Sequence, residues 1–258
     1  MRSSLLHQNR VGVNGKKNLK RFLCNLSDVS EGIITLRDDE IHHLRNVLRL
    51  KVGDSIIVTP RSSLTSHSYE CTIKLVSRNC VVCEIIRETK VITNAPITII
   101  QAIPKGRKMD SIVRMACEMG VSNIIPIITR KVTIKTNLGH RIERWRKIAE
   151  SASKQSHVSV PTIHEAVELC NLDLLHLPEL RIAFYEMETV TLKSVVAGCK
   201  KPEPIALLIG PESGLTETEV ETLKRLKFKT ASLGNTILRT ETAGTVAIAA
   251  ILYHFSKR

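Results

Sequence analysis

The chain has 258 residues, enough to bury a substantial core in one or two domains, and 43% of them are hydrophobic, which predicts a globular protein. No apolar run approaches the roughly 20 residues that a membrane-spanning helix needs, so we expect no membrane partner. The net charge of +13 and the aromatic content of 3% favour an RNA partner held by phosphate contacts rather than by base stacking, with a soluble protein that is merely basic as the alternative.

We predict that residues 1–18 form a basic N-terminal extension. They carry no acidic side chain, and the first acidic residue of the chain is Asp28. The extension lacks the apolar central run of a secretory signal, and a disordered tail, an organelle transit peptide and a misassigned start all stay open. Its cations are Arg2, Arg10, Lys16 and Lys17.

Residues 19–90 are predicted to form a small β-barrel-like domain with one helix. β-Branched residues predict strands at 33–36, 55–59, 69–75 and 80–86. Apolar residues recur at helical spacing over 44–48 and predict the helix between the first two strands. Arg45 and Arg49 stand four positions apart, so we expect them to share one helical face. A phosphate contact and a solvated surface both stay open for this pair.

The seven cysteines are scattered along the chain, and Cys80 and Cys83 are the only close pair. This pair lies in an apolar, strand-like stretch, and no second pair completes a zinc site. His42 and His43 likewise have no carboxylate or cysteine partner at a ligand spacing. We therefore predict no metal site, and structural thiols that suit a reducing cytosol.

After a linker over residues 88–96, the pattern changes to alternating strands and helices. Strands are predicted at 97–103 and 123–129, with a helix between them that ends at Gly120. Such a strand–helix–strand run predicts a parallel sheet. Three cations in the turn before the helix lie where a helix N-terminus attracts anions, so we expect them to contact RNA phosphates. They are Lys105, Arg107 and Lys108.

Residues 95–258 are predicted to form the second domain. Its next helix covers 140–156, with Trp145 in a buried stripe and basic residues on the other side. A further strand is predicted at 181–185 and a helix at about 191–197.

Two predicted strands near the carboxyl end each stop at a glycine loop. An apolar run over 205–209 precedes the loop 210–214, and a strand over 228–233 precedes Gly234. In an open α/β sheet, ligands bind beyond the carboxyl ends of the strands, where such loops present main-chain groups to them. Two ordinary strand–helix turns are the alternative.

A helix start follows each glycine loop. Thr216 and Glu219 form a capping box for the first helix. Leu215 and Val220 stand where a hydrophobic staple would fix the entry of that helix. Thr240 opens a last helix, which is predicted to run to about residue 255.

These motifs together resemble the ribosomal RNA small subunit methyltransferase E family, which belongs to the SPOUT superfamily of S-adenosylmethionine-dependent methyltransferases. The similarity is carried by LLIGPESGLTETEV followed by LGNTILRTETAGTVAIAAI. It extends upstream through HHLRNVLRLKVGD at 42–54, IPKGRKMDSIVRMACEMGVSNIIPIITRK at 103–131 and RWRKIAESASKQS at 144–156. Several motifs in the same order, covering roughly residues 20–256, are more specific than any one of them.

The resemblance implies an α/β fold: a SPOUT-type parallel sheet with a C-terminal trefoil knot, preceded by a small PUA-like RNA-binding β-barrel domain. It also implies a cytoplasmic homodimer. The implied activity is transfer of a methyl group from S-adenosylmethionine to N3 of one uridine in 16S ribosomal RNA, within the assembled small ribosomal subunit. A methyltransferase of the same fold with another target, and a cofactor-less RNA-binding ribosome-assembly factor, are the alternatives.

The resemblance further implies the residues of the site. We expect Arg239 to contact the target uridine or a phosphate, and Glu241 to accept a proton or orient Arg239. The alternative for Arg239 is a salt bridge to Glu241 or Glu212. The alternative for Glu241 is an acidic residue that only stabilises the first turn of the helix. The implied cofactor contacts are Leu208, Ile209, Gly210, Glu212, Gly214, Leu233, Gly234, Ile237 and Leu238.

The chain departs from its relatives at two places. Ser213 stands where they usually have glycine, and a serine fits there if its φ is negative. Over 154–159 an expected arginine is absent and one residue is deleted, so Lys154 or His157 would supply the charge. We expect Gln155, in the same segment, to contact RNA.

Overall fold

A computed structural model of the chain describes residues 19–62, 67–91, 95–131, 137–199 and 203–256. The molecule divides into two compact units, Met1–Pro60 with His67–Lys90, and Arg61–Ser66 with Val91–Arg258. Within the described ranges, no helix combines the length and the apolar character needed to cross a membrane. The predicted basic extension over residues 1–18 lies outside the described residues.

The first unit is a six-stranded sheet with its own apolar core. Its strands are β1 (Lys20–Cys24), β2 (Val29–Ser30), β3 (Ile33–Leu36), β4 (Ser55–Pro60), β5 (His67–Val76) and β6 (Val81–Lys90). The order is β1-β4-β5-β6-β3-β2, with β1 parallel to β4 and every other pair antiparallel. The sequence pattern missed β1, because Phe22, Leu23 and Cys24 are all buried and show no alternation.

One prediction for this unit is wrong: Arg45 and Arg49 do not share a helical face. Helix α1 (Asp39–His42) continues as a π-helical segment, His43–Val47, and the helix ends there. Arg49 lies beyond it in the left-handed region, with φ 53°. The chain turns at this point because Leu48 and Leu50 pack against the core that already buries Leu44.

The second unit is built on a seven-stranded sheet in which every pair is parallel, which confirms the predicted α/β class. Its strands are β7 (Ala95–Ala102), β8 (Val121–Ile128), β9 (Thr162–Ile163), β10 (Val167–Glu168), β11 (Leu180–Phe184), β12 (Ile205–Ile209) and β13 (Lys229–Ala231). The order is β10-β8-β7-β12-β11-β13, and β9 also pairs with β8. β13 is shorter than its predicted span, because Ser232 makes only an isolated bridge to Thr191.

Helices cover both faces of this sheet. They are α2 (Lys108–Glu118), α3 (Leu138–Ser156), α4 (Leu192–Val196), α5 (Glu217–Arg225) and α6 (Thr240–Phe255). One core cluster packs Leu207 and Ile209 of β12 with α2, α3 and α6. A second cluster packs Leu208 of the same strand against Val220 and Leu223 of α5. β12 is therefore buried on both faces, as its continuous apolar run predicts.

The strand order positions the site. β12 lies between β7 and β11, and β11 pairs with β13, so the carboxyl ends of these four strands are neighbours at one edge of the sheet. The segments that follow them therefore meet at that edge. Parallel α/β sheets bind ligands at this edge.

Candidate active site

The first loop, residues 210–216, turns sharply after β12. The Gly214 N–H donates to Pro211 O at 3.0 Å, and Gly214 has φ 68°, which favours glycine. A Cβ at Gly214 would also collide with the Glu186 carboxylate at the end of β11. Ser213 has no positive φ, so the serine that replaces the glycine of relatives fits without strain.

A buried hydrogen-bond chain ties this loop to the start of α6. Gln101, near the end of β7, is fully buried, and its Nε2 donates to Thr240 Oγ1 at 3.0 Å and to Ala102 O at 2.9 Å. Thr240 Oγ1 in turn donates to Gly210 O at 2.7 Å. Three segments that are distant in sequence are thereby fixed to one another. The oxygen of the same amide, Gln101 Oε1, is buried and has no hydrogen-bond partner among the described residues.

Glu212 joins the first loop to the basic turn before α2. Its carboxylate accepts from Lys108 Nζ at 2.8 Å and from the Lys105 N–H at 3.2 Å. Burial alone would raise the pKa of Glu212, but these hydrogen bonds outweigh it and the pKa lies below its ordinary value. The hydrogen bond to Glu212 raises the pKa of Lys108. The nearby charge of Glu241 also raises this pKa, whereas the charge of Arg239 lowers it.

The segment after β8 holds the other side of the first loop. Lys131 Nζ donates to Ser213 O at 3.0 Å, and the Arg130 N–H donates to Glu219 Oε1 at 2.9 Å. The predicted capping box is present, because Thr216 Oγ1 accepts from the Glu219 N–H while Glu219 Oε2 accepts from the Thr216 N–H. Burial would raise the pKa of Glu219, yet these donors lower it.

The second loop, residues 232–239, is open by comparison. Ser232 is fixed, since its N–H donates to Val190 O at 2.7 Å. Its hydroxyl also accepts from the Gly234 N–H and donates to Gly234 O. The N–H groups of residues 235–238 donate no hydrogen bond to any atom in the described part of the chain. Gly234 has φ 127°, with open space around its Cα, and Ile237 is 84% exposed. These main-chain groups are available to a ligand.

Arg239 and Glu241 lie where the second loop enters α6. Arg239 is the exposed N-cap residue of α6, and among the described residues its guanidinium forms no ion pair, so neither predicted salt-bridge alternative is present. Glu241 Oε2 is buried and has no hydrogen-bond partner within the described ranges. A cation and an unpartnered carboxylate oxygen thus lie two residues apart. In the described ranges, no group of three His, Cys, Asp or Glu side chains could hold a metal ion.

Some predicted site residues lie elsewhere or contribute differently. The side chains of Leu208 and Ile209 are buried in the two core clusters, so only their main-chain atoms could meet a ligand. Gln155 is exposed near the end of α3, which leads to β9, and β9 pairs with the start of β8 at Asn123 and Ile124. Gln155 therefore lies toward the amino edge of the sheet, opposite the two loops. Arg45 and Arg49 belong to the first unit.

Sequence reasoning missed Gln101, Glu186 and Lys131. Gln101 was detectable, since it is a polar residue inside an apolar strand, and a buried amide needs hydrogen-bond partners. Glu186 and Lys131 carry no such signal. They reach the first loop only because β8 and β11 end at the same edge of the sheet as β12.

Comparison with known proteins agrees with this geometry. A family model described as an RNA methyltransferase domain matches residues 92–252, and one described as an RNA methyltransferase PUA domain matches residues 36–59. The ribosomal RNA small subunit methyltransferase E of Bacillus subtilis (strain 168) is 31% identical over 232 residues, covering 85% of this chain and 89% of the relative. That of Aquifex aeolicus (strain VF5) is 30% identical over 235 residues, covering 86% and 95%.

Solved structures agree as well. A ribosomal RNA small subunit methyltransferase E from Neisseria gonorrhoeae, crystallised bound to S-adenosyl methionine, has a TM-score of 0.77 to this chain at 27% identity. The match covers 92% of this chain and 98% of that one. Fold, motifs and relatives converge, and the chain belongs to the ribosomal RNA small subunit methyltransferase E family.

Proposed function

We propose that the chain transfers a methyl group from S-adenosylmethionine to N3 of a specific uridine in 16S ribosomal RNA, within the assembled small ribosomal subunit. The observation that carries the proposal is the pair of loops at the carboxyl edge of the sheet. One loop is fixed from several sides, and the other offers unpaired main-chain N–H groups beside Arg239 and Glu241.

The residues present fit this cofactor. Free N–H groups at residues 235–238 and the open backbone at Gly234 suit the edge of an adenine ring, which needs donors and close approach. Gly210 and Gly214 would contribute main-chain atoms from the facing loop. Leu233, Ile237 and Leu238 would supply apolar surface, of which Ile237 is largely exposed. Glu212 would act mainly through its bonds to the basic turn.

When bound, S-adenosylmethionine supplies an electrophilic methyl group, so the protein's task is to align donor and acceptor and to remove a proton. Uridine N3–H is weakly acidic. Arg239 would stabilise the negative charge that develops on the uracil ring, and in support its guanidinium has no competing ion pair with any described residue. Glu241 Oε2 is unpartnered and can accept the N3 proton or orient Arg239.

We propose that RNA phosphates lie along the basic turn before α2. Lys105 and Arg107 are exposed there, whereas Lys108 is engaged by Glu212 and would act more as a fixed charge than as a free contact. Arg45 and Arg49, in the PUA-like domain over residues 19–90, would bind RNA separately from each other. Gln155 would bind RNA away from the two loops.

Three further features belong to this proposal. The second domain, residues 95–258, would be a SPOUT methyltransferase domain whose C-terminal segment forms a trefoil knot. Thr240, at the start of α6, is hydrogen-bonded to Gln101 and to Gly210 O, which joins this helix to two central strands of the sheet. The active form would be a homodimer, and the protein would act in the cytoplasm.

Calorimetric titration of the full chain with S-adenosylmethionine, followed by mass spectrometry of 16S ribosomal RNA from a deletion strain, tests the proposal. We expect saturable cofactor binding, loss of one N3-methyluridine in the strain and its return with the wild-type gene. Absence of binding at millimolar cofactor would favour the cofactor-less assembly factor. Unchanged N3-methyluridine together with loss of another methylated base would favour a different target.

A further inference from the structure

A polar groove opens in the first unit between α1 with its π-helical extension and the turn that joins β5 to β6. Its volume is about 480 Å³, within the range of about 300–1,000 Å³ typical of pockets for small organic ligands. The polar side chains that line it are Asp38, His42, Arg45, Asn46, Arg78 and Asn79. The residues that line the groove belong to the first unit, whereas the two loops of the candidate active site belong to the second.

The side chains of the groove have unused hydrogen-bonding capacity. Arg45 donates one bond, from Nη1 to Ser77 O at 3.2 Å, which leaves its other N–H groups for a ligand. Across the described residues, the side chains of Arg78, Asn46 and Asn79 form no hydrogen bond or ion pair. One guanidinium group with a single internal bond, a second guanidinium group and two carboxamides therefore line the same cavity with donors and acceptors to spare.

The backbone that carries these side chains has a defined conformation on both walls of the groove. Ser77 Oγ donates to Cys80 O at 2.8 Å and accepts from the Asn79 and Cys80 N–H groups, which fixes the turn that carries Arg78. On the other wall, Asp38 has φ 51° and ψ −129°, and a π-helical segment carries Arg45. Strained non-glycine residues and π-helical turns both concentrate at functional sites.

We propose that this groove holds one unpaired nucleotide of an RNA strand, with its phosphodiester on Arg45 and Arg78 and its base edge on Asn46 and Asn79. Guanidinium groups bind phosphate oxygens with paired N–H donors. A carboxamide offers one acceptor and two donors, which match the mixed edge of a base. The residues that line the groove include no Phe, Tyr or Trp, and His42 carries its one aromatic ring, so hydrogen bonds and charge more than stacking would select the nucleotide.

The inference rests on RNA being the partner in the proposed function. Fluorescence anisotropy with a short single-stranded RNA and full-length Arg78→Ala and Asn46→Ala chains tests it. Both substitutions are at exposed positions, so folding should survive, and thermal unfolding checks this. Arg87→Ala is the matched control, because it removes one exposed arginine of the same unit that is paired with Glu70 outside the groove.

We expect Arg78→Ala to weaken RNA binding at least about fivefold and to lower the salt slope by about one, as loss of a phosphate contact does. Asn46→Ala should weaken binding with the salt slope unchanged, and Arg87→Ala should stay within about twofold of the wild type. A photo-crosslink from 4-thiouridine should map to residues 38–46 or 77–80.

Three results would overturn the inference. One is equal weakening by Arg87→Ala, which would indicate unspecific charge. Another is displacement of the RNA by a competitor at a concentration equal to that of the RNA. Displacement by uridine monophosphate or inorganic phosphate would indicate a site for a free small ligand, and displacement by polyglutamate would indicate a site for an acidic peptide. The last is wild-type RNA binding by both groove variants. Cofactor titration of the same variants separates the two proposals. If only the inference about the groove is wrong, the variants keep both cofactor binding and methylation.

Discussion

The two loops of the candidate site are held in opposite ways. The first loop is bonded to Thr240 at Gly210 O, to Lys131 at Ser213 O and to the basic turn through Glu212. Among the described residues, the hydrogen bonds that hold the second loop lie at its ends, at Ser232 and at Thr240. Between those ends, residues 235–238 donate no main-chain hydrogen bond within the described chain.

This difference indicates that the first loop contributes rigidity and the second loop contributes groups that can bind a ligand. A loop whose polar groups are already satisfied can form a rigid wall, but it has few groups left for a ligand. A loop with free N–H groups can bind a ligand and gain order when it does so. We therefore expect substitutions in the first loop to affect mainly stability, and substitutions at the second loop to affect mainly binding and catalysis.

Arg239→Ala, at the end of the second loop, should have the largest effect. Loss of a preorganised cation that stabilises developing charge should lower kcat by about 10²–10³-fold. Cofactor affinity should change by less than about threefold, because the guanidinium would face the uridine rather than the cofactor. Methyl transfer to small-subunit particles and calorimetry measure the two quantities.

Arg225→Ala serves as the control for Arg239→Ala. Arg225 is an exposed arginine in the last turn of α5, bonded to Thr222. Its removal changes the net charge by the same amount and should leave kcat within about twofold of the wild type. Full methylation by Arg239→Ala would remove Arg239 from the mechanism.

Gly214→Ala should be the most destabilising of the changes considered for the first loop. An alanine at φ 68° costs about 1–2 kcal/mol of unfolding free energy. The added Cβ also meets the Glu186 carboxylate, which is exposed and can move aside. Urea denaturation of Gly214→Ala and of the double variant with Glu186→Ala separates strain from crowding. If backbone strain dominates, adding Glu186→Ala should restore none of the lost unfolding free energy. Recovery of stability in the double variant would show that crowding against Glu186 dominates.

Thr240→Val should lower the unfolding free energy by about 1 kcal/mol, because it removes the hydroxyl that joins Gln101 to Gly210 O and leaves the buried amide and the half-buried carbonyl each short of a partner. Thr242→Val is the matched control on the same helix, at an exposed position. Chemical denaturation compares the two. Cofactor affinity should also fall for Thr240→Val, since both loops depend on that hydroxyl. Equal behaviour of the two variants would contradict this role.

Glu219→Gln should have the smallest effect, and one that depends on pH. Because the pKa of Glu219 is lowered in the folded state, its stabilisation is complete above the ordinary glutamate pKa and is lost as pH falls through the lower folded-state pKa. Near pH 7 the variant should be about 0.5–1 kcal/mol less stable than the wild type, the difference between charged and neutral acceptors. Denaturation curves at falling pH should show the gap closing, and a constant gap would contradict the assignment.

Local signals in the sequence were enough for much of this molecule. The capping box of Thr216 and Glu219 and the bounds of α6 depend on residues close in sequence, and both were predicted. The shared face of Arg45 and Arg49 failed because burial of Leu48 and Leu50 overrides helical spacing. Lys131 reaches Ser213 from 82 positions away, a contact that only the strand order creates.

The bond between Gln101 and Thr240 has a consequence for the order of assembly. Its two residues are 139 positions apart, and Thr240 lies at the start of the last helix. During synthesis, domains fold from the N-terminus onward as the chain leaves the ribosome. The first loop therefore acquires its bond at Gly210 O only after Thr240 has left the ribosome, so a nascent copy, or one cleaved before Thr240, would lack the contact that completes this loop.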